Sequence, residues 1–253
     1  MYYLGIDIGS TATKSVLLDE RNIYDYFVLP TGWSSKETAG SVLRQLGELH
    51  PEIKGQGMKT VATGYGRISV DFADKQITEI SCHAKGAATL FGPTGTVIDI
   101  GGQDTKIIRI RDGVVDDFVM NDKCSAGTGK FLEIMANRLG VGLPELFEMA
   151  EAGRPLAISA TCTVFAESEV ISHIGNGAPR PDLAAGVVES VVAKVAALYG
   201  RLRSDNPIFL TGGLCESAYL LKRLENQLGR PVSSLPMARY AGALGAALYA
   251  KNL

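Results

Sequence analysis

Apolar and polar positions follow the same order in two stretches of the chain, residues 5–14 and 97–106. The stretches match at six of ten positions. In each, an apolar run leads into Asp-Ile-Gly and a second run follows, over residues 13–18 and 105–110. Two short runs joined by a glycine-containing turn predict a β-hairpin. The strand, loop and helix of a Walker site is not predicted, because Gly-x-x-x-x-Gly-Lys-Ser/Thr does not occur in the sequence.

Apolar residues recur at helical spacing after each hairpin, which predicts amphipathic helices. The positions are Ala39, Val42, Leu43, Leu46 and Leu49 in the first half, and Leu183, Val187, Val191, Val195 and Leu198 in the second. A last helix is predicted over residues 240–249, where Gly242, Ala243, Gly245 and Ala246 permit the close backbone approach that a hinge helix needs. The pattern therefore predicts two similar α/β lobes.

Chain length, net charge and the distribution of charged residues limit the classes of molecule that the protein is expected to bind. The 253 residues are enough for one large domain or two modest ones. With 25 basic and 27 acidic residues the net charge is -2, which offers no electrostatic footprint for nucleic acid or an anionic membrane. The first ten residues carry no basic segment, and Glu189 and Lys194 interrupt the apolar stretch 187–199. We therefore expect a cytoplasmic protein with neither a signal peptide nor a membrane span.

The two hairpin turns have the chemistry of phosphate-binding loops. Successive backbone N–H groups at such a turn form a concavity for anionic oxygens, and Ser10, Thr11 and Thr13 add hydroxyl donors to the first one. A carboxylate beside a phosphate needs a cation between the two, so we interpret Asp7 and Asp99 as holding Mg²⁺ through its waters. One Asp-Ile-Gly would equally fit an ordinary hairpin turn, but the second copy favours two loops that bind one polyphosphate.

Two of the four cysteines stand before segments with helical character. These are Cys124 and Cys162; a thiolate near a helix N-terminus is favoured by the dipole and suits an anionic ligand or cluster. The spacing alone favours the simpler interpretation of buried small residues, because two thiols fill neither a four-thiolate cluster nor a tetrahedral zinc site. Four cysteines are too few for a disulfide framework.

Four segments, in their order along the chain, resemble the superfamily of actin, sugar kinases and heat-shock-chaperone ATPases. They begin at Asp7, Asp99, Leu210 and Tyr240 and read Asp-Ile-Gly-Ser-Thr, Asp-Ile-Gly-Gly-Gln, Leu-Thr-Gly-Gly and Tyr-Ala-Gly-Ala-Leu-Gly. The resemblance implies an α/β fold of two ribonuclease-H-like lobes with the nucleotide in the cleft between them. Lobe I is expected to comprise residues 1–94 plus 239–253, and lobe II residues 95–238.

The same resemblance implies roles for individual residues. Asp7, Asp99 and Gln103 are the expected catalytic residues. The expected contacts with ATP or ADP are Gly9, Ser10, Thr11, Lys14, Gly101 and Gly102 in the two phosphate motifs, and Gly212 and Gly213 in the adenosine motif. Residues 77–90 and 240–249 correspond to the two connecting helices. Gln103 could orient the attacking water, because an amide both donates and accepts, or it could be a polar turn residue.

A second resemblance is more specific. Residues 121–124, 127–129, 162–169 and 62–67 resemble the activator component of 2-hydroxyacyl-CoA dehydratases, a family that includes the ATPase subunits of benzoyl-CoA reductase. It implies a homodimer with one 4Fe-4S cluster at the subunit interface, to which each chain contributes Cys124 and Cys162. Cys82 and Cys215 fall outside the matching pattern, and His83 is assigned no role.

The resemblance implies an ATPase that acts as a one-electron donor. A ferredoxin or flavodoxin would reduce the cluster, and ATP hydrolysis would drive delivery of the electron to a 2-hydroxyacyl-CoA dehydratase or related iron-sulfur component. Two other functions are compatible with the expected fold. One is a small-molecule kinase acting on a sugar or acid; the other is a non-enzymatic actin-like or chaperone-like protein that polymerises or binds peptides.

Overall fold

The first Asp-Ile-Gly motif lies in a β-hairpin, in a computed structural model that describes residues 1–158 and 162–253. The first sheet contains β1 (Tyr2–Ile8), β2 (Ala12–Leu18), β3 (Ile23–Pro30), β4 (Met58–Thr63) and β5 (Lys75–Gln76), in the order β3-β2-β1-β4-β5. Strand β2 is antiparallel to β1 and β3, whereas β4 is parallel to β1. In the hairpin register, Asp7 stands opposite Lys14. The predicted first hairpin is confirmed.

The second motif joins the first two strands of another five-stranded sheet. Its strands are β6 (Gly95–Ile100), β7 (Thr105–Arg111), β8 (Val114–Asn121), β9 (Ile208–Gly212) and β10 (Val232–Ser233), in the order β10-β9-β6-β7-β8. Strand β9 is parallel to β6, as β4 is to β1. The two sheets therefore share one topology, and the repeat seen in the sequence extends to the fold.

Eight α-helices accompany the sheets in the part of the chain that the structure describes. They are α1 (Ser35–Leu49), α2 (Glu79–Phe91), α3 (Gly129–Arg138), α4 (Leu143–Ala152), α5 (Thr163–Gly175), α6 (Arg180–Gly200), α7 (Ala218–Leu228) and α8 (Ala241–Ala250). The helices predicted from apolar spacing are α1 and α6, and α8 is the helix predicted for the tail of small residues. Ser34 and Thr78 cap α1 and α2, each accepting a hydrogen bond from a first-turn N–H group. The α/β fold class is confirmed.

The chain folds into two units. The first contains Met1–Gly95, Ile108–Asp116 and Met237–Leu253, and the second contains Thr96–Ile107 and Asp117–Pro236. In the second unit, α6 is long and apolar enough to cross a membrane by length and composition, but 61% of its most apolar window is buried inside the protein. Its buried side chains include Val187, Val191 and Val195, so α6 is a core helix of that unit.

Helix α8 packs within the first unit at backbone distance. A Cβ atom added to Gly245 would lie 1.8 Å from the carbonyl oxygen of Cys82 in α2, and one added to Gly86 would lie 1.9 Å from that of Ala241. On the sheet side, a Cβ at Gly5 of β1 would lie 2.0 Å from the oxygen of Ala243. The small residues of the tail are therefore required by packing on both sides, as the sequence predicted.

We expect Gly245→Ala to destabilise the protein, because the new methyl group would have to move backbone atoms of α2 apart from α8. Overpacking of this kind costs about 1–3 kcal/mol. The matched control is Gly40→Ala at an exposed position of α1, where nothing lies within 4 Å of the added Cβ. That change should stabilise the protein by about 0.5–1 kcal/mol through helix propensity. Thermal and urea unfolding of both variants measure the difference; equal stabilities would contradict the packing argument.

Candidate functional site

The carboxylate of Asp7 is buried at the end of β1, with only 4% of the residue exposed. Its Oδ1 atom accepts no hydrogen bond from any residue within 1–158 or 162–253. Its other oxygen lies close to α8, where a Cβ added to Gly242 would come within 2.6 Å of Oδ2. An unpartnered buried carboxylate oxygen is costly and calls for a ligand. A hydrated divalent cation is a partner that suits it.

The first phosphate loop is held in shape by its own backbone and one threonine. The N–H group of Gly9 donates to the carbonyl of Ala12 at 3.2 Å, which closes the turn. The hydroxyl of Thr31 donates to the carbonyl of Gly9 at 2.7 Å. Lys14 extends from β2 beside the turn, with Nζ 3.5 Å from the Ala12 oxygen. A positive side chain therefore lies at the loop that is predicted to hold phosphate.

The second carboxylate, Asp99, has protein partners for both oxygens. The hydroxyl of Thr211 in β9 donates to Oδ1 at 2.8 Å. The ammonium of Lys106 lies 3.6 Å from Oδ2 and also pairs with Asp104 at 2.7 Å. Lys106 is 1% exposed, so its charge needs these carboxylates. The two Asp-Ile-Gly motifs are therefore alike in sequence and backbone but different in electrostatics.

A glycine at the end of the neighbouring parallel strand lies against each loop. Gly64 follows β4 with φ +83, and a Cβ there would lie 2.4 Å from Asp7 Oδ1. Gly212 ends β9 with φ +92, and a Cβ there would lie 2.3 Å from the carbonyl oxygen of Ile100. Both positions combine a left-handed backbone with close approach, which only glycine satisfies. The backbone conformation and close packing of the loop therefore require glycine at position 212, whether or not this residue contacts a nucleotide.

The second loop is bonded to the start of α3. The N–H groups of Gly129 and Lys130 donate to the carbonyls of Gly101 and Gly102, each at 2.9 Å. These are first-turn N–H groups that the helix itself leaves without acceptors. Because both bonds are made by backbone atoms, a displacement of the loop is transmitted to the first turn of α3.

The turn that carries Cys124 lies directly before α3. Asn121 donates from Nδ2 to the carbonyl of Cys124 at 2.9 Å and to that of Ala126 at 3.3 Å. The hydroxyl of Thr105 in β7 donates to the carbonyl of Gly127 at 2.7 Å. Cys124 is half-buried and separated from α3 by residues 125–128, so it belongs to a turn and does not precede the helix directly.

The structure brings the two predicted ligand cysteines together. Cys162 is the N-cap residue of α5 and, like Cys124, is half-buried and in no disulfide. The residues that follow them, Ser125 and Thr163, are joined by a hydroxyl-hydroxyl hydrogen bond of 2.8 Å. Both thiols therefore come from one small area of the second unit. Two thiolates offered from one side are half of the donor set of a 4Fe-4S cluster.

The other two cysteines are in the interior. Cys82 is fully buried in α2, and burial raises the pKa of its thiol to about 12. Such a thiol stays protonated at neutral pH and is a poor nucleophile and metal ligand. Cys215 is 1% exposed, and its N–H group donates to the carbonyl of Gly212. Neither residue lies in the Cys124 turn or at the α5 N-cap.

The remaining predicted residues lie at the tips of the loops. Thr11 and Gln103 occupy equivalent positions in the two turns and are exposed, while Ser10 and Gly102 are half-buried. Gly213, after β9, is exposed, and a Cβ added there would meet nothing within 4 Å. His83 is buried in α2, with Nδ1 3.2 Å from the carbonyl oxygen of Glu79.

Sequence reasoning missed Lys106, Asp104 and Thr211. The repeat could have identified Lys106, because this residue occupies in the second copy the position that Lys14 occupies in the first. Thr211 had a weaker signal: residues 62–64 and 210–212 share Thr-Gly, at strands that occupy the same place in the two sheets.

Comparison with known proteins gives consistent results over the whole chain. Residues 4–250 match the family described as the BadF/BadG/BcrA/BcrD ATPase family. The chain is 44% identical over 253 residues to the (R)-2-hydroxyglutaryl-CoA dehydratase activating ATPase of Acidaminococcus fermentans, covering 99% of this chain and 97% of the relative. It is 45% identical over 253 residues to the activator of lactoyl-CoA dehydratase of Anaerotignum propionicum, with the same coverage.

A solved structure gives the same relationship. The activator of the 2-hydroxyisocaproyl-CoA dehydratase from Clostridium difficile, with bound ADPNP, superposes with a TM-score of 0.90 at 38% sequence identity. The match covers 100% of this chain and 95% of that one. The neighbour therefore shares the fold along its length, and ADPNP is bound in that protein.

Gly213→Val should leave folding intact and weaken ATP binding, because the added side chain has open space in the protein but would occupy the expected place of the adenosine. We expect the dissociation constant for ATP to rise at least about tenfold, roughly 1.4 kcal/mol. The contrasting variant Gly212→Val should unfold at lower temperature, since its Cβ would strike the Ile100 carbonyl. Calorimetric titration with ATP and thermal unfolding distinguish the two. Normal ATP affinity in the Gly213 variant would remove that turn from the nucleotide site.

Proposed function

Because the chain belongs to the BadF/BadG/BcrA/BcrD ATPase family, we propose that it is an ATP-dependent one-electron donor that activates a 2-hydroxyacyl-CoA dehydratase or a related reductase. The relatives reported above are named as activators of such dehydratases, which supports the partner class. The observation that carries the proposal is the hydrogen bond between Ser125 and Thr163, the residues that directly follow Cys124 and Cys162.

ATP binding falls to the two phosphate loops and to the turn after β9. The N–H groups of Gly9 and Gly101 are bonded within their own turns, so the N–H groups at the tips of the turns, the hydroxyls of Ser10 and Thr11 and the charge of Lys14 suit the phosphates. Asp7 suits hydrated Mg²⁺, and its unpartnered Oδ1 supports this assignment. Asp99 is already engaged by protein groups, so its part would be to orient a coordinated water. Gln103, at the exposed tip of the second loop, is the candidate for positioning the attacking water.

Cys124 and Cys162 would hold the redox centre, and a 4Fe-4S cluster bound there supplies a one-electron carrier. Two thiols per chain require a second copy to complete four, which is why we propose a homodimer related by a twofold axis. Both residues are half-buried and neither forms a disulfide, which suits thiols that bind a shared group. Their main chains are held by Asn121 and by the start of α5, which fixes the thiol positions before any group binds.

Coupling of ATP to the electron would pass through the second loop. Its carbonyls are bonded to the first turn of α3, and β7 is bonded to the turn of Cys124 through Thr105. A loop that moves when the γ-phosphate is lost would therefore displace the thiol and change its exposure. Exposure and hydrogen bonding are among the variables that set cluster potentials. The partner must prefer the ATP-bound arrangement for hydrolysis to drive transfer.

The chemistry of the thiol site also indicates the cellular conditions in which the protein would act. Partly exposed cysteines outside any disulfide and an oxygen-sensitive centre suit a reducing cytoplasm and anaerobic conditions, with a ferredoxin or flavodoxin as the donor. The small-molecule kinase that the fold would also allow is less well supported, because relatives at 44% and 45% identity over almost the whole chain are dehydratase activators.

Asp7→Asn should abolish ATP hydrolysis, with turnover reduced on the order of 100-fold or more because the charge that holds the cation is lost. The nucleotide-free variant should be at least as stable as the wild type, since it loses a buried charge whose Oδ1 accepts no hydrogen bond from a described residue. Asp99→Asn should lower both turnover and stability, because Lys106 would lose a partner. Steady-state ATPase assays and melting curves measure both effects. Unchanged turnover in the Asp7 variant would refute its role.

Cys124→Ser and Cys162→Ser should each lose the iron-sulfur cluster and weaken the dimer, because each removes two of four ligands from a symmetric site. Cys215→Ser and Cys82→Ala are the controls and should retain iron. Iron and sulfide content per dimer, together with the oligomer mass under anaerobic conditions, provide the test. Iron retained in the Cys124 or Cys162 variant would overturn the ligand assignment. A wild type that hydrolyses ATP but takes up no iron would overturn the electron-transfer function.

A further inference from the structure

We propose that Lys194 is a positioning residue for the redox centre, whose buried ammonium offsets the negative charge gathered at Cys124 and Cys162 and raises the reduction potential of the group they hold. This inference rests on the proposed function. Lys194 lies in the middle of α6, between the buried residues Val191, Val192 and Val195. It is one of the two charged residues that interrupt the apolar stretch 187–199 of this helix.

The ammonium of Lys194 is buried and has no hydrogen-bond partner in the described parts of the chain, 1–158 and 162–253. Its Nζ atom is shielded from solvent, and no oxygen of the residues that the structure describes accepts a hydrogen bond from it. Glu189, the other charge in the same stretch, is paired with Arg223 of α7. A buried ammonium has three donors to satisfy, so its retention in a core helix indicates a function outside packing.

Packing fixes where the side chain of Lys194 lies. Its aliphatic stem lies against Gly127, where an added Cβ would come within 3.1 Å of Lys194 Cβ. Gly127 has φ +93 and belongs to the turn that carries Cys124. The ammonium stands 5.2 Å from the ring centroid of Phe131, a cation-π contact that offsets part of the burial cost. Lys194 is thereby held beneath the cysteine turn.

The two ligand cysteines are the ionisable groups that act on Lys194. Burial lowers the pKa of Lys194, and the charges of Cys124 and Cys162 act in the opposite direction. The contact with Gly127 places Lys194 at the turn that carries Cys124, so the charges that act on this lysine include those of the two thiols. When thiolates bring negative charge to this area, a fixed positive charge stabilises it. Since reduction adds one more negative charge, the same ammonium favours the reduced form.

The test compares Lys194→Met with the wild type, with Lys194→Arg as the charge-retaining variant and Lys222→Met as a control for a lysine lost from an exposed position of α7. Each protein is reconstituted anaerobically with iron and sulfide, its iron content is measured, and the midpoint potential is determined by redox titration followed by electron paramagnetic resonance. We expect the Lys194→Met protein to keep its iron and show a more negative midpoint potential. The arginine and Lys222 variants should stay near the wild type.

Thermal unfolding of the cluster-free proteins separates this role from a structural one. Cluster-free Lys194→Met should melt no lower than the wild type, because no hydrogen bond of a described residue is lost. An unchanged midpoint potential in Lys194→Met would overturn the inference and leave the cysteine site intact. Loss of iron from both Lys194 variants together with a lower melting temperature would mark a structural residue and also overturn it. A wild type that binds no iron would overturn the proposed function and this inference together.

Discussion

The arrangement of the second unit depends on the backbone hydrogen bonds between the second phosphate loop and α3. Gly101 and Gly102 accept from the first N–H groups of the helix, and Thr105 fixes Gly127 in the turn before it. Helix N-termini need acceptors, and loops need their carbonyls satisfied. One set of bonds meets both requirements. As a result, the loop proposed to bind phosphate and the turn that carries Cys124 cannot be positioned independently of each other.

Duplication of the fold has allowed the two Asp-Ile-Gly motifs to diverge. Each motif ends the central strand of its sheet. In each sheet a positive-φ glycine at the end of the neighbouring parallel strand lies against the motif. Asp99 is neutralised by Lys106 and held by Thr211, whereas Oδ1 of Asp7 has no hydrogen-bond partner among the residues that the structure describes. The same backbone therefore supplies one carboxylate suited to a cation and one that is part of a fixed polar network.

Three buried side-chain atoms of the described residues have no hydrogen-bond partner, and two of them, on Asp7 and Lys194, belong to ionisable groups. Asp7 Oδ1 lies at the first loop and Lys194 Nζ lies beneath the cysteine turn. Each would be unfavourable in a protein selected for stability alone. Their opposite charges suit opposite ligands, a cation beside the carboxylate and an anionic centre beside the ammonium. Both observations agree with the functions proposed for the two places.

The sequence by itself determined the local elements. Residues 5–14 and 97–106 specified two hairpins, apolar spacing specified α1 and α6, and the small residues of the tail required the close packing seen at Gly245. These features depend on neighbours within a few positions, so periodicity and turn chemistry reveal them. Only the tertiary structure decided that the residues after Cys124 and Cys162 are hydrogen-bonded to each other, that Lys106 and Thr211 engage Asp99, and that Lys194 packs against Gly127. Those contacts join residues far apart in the chain, and their distances are set by how helices and sheets pack, which no local pattern encodes.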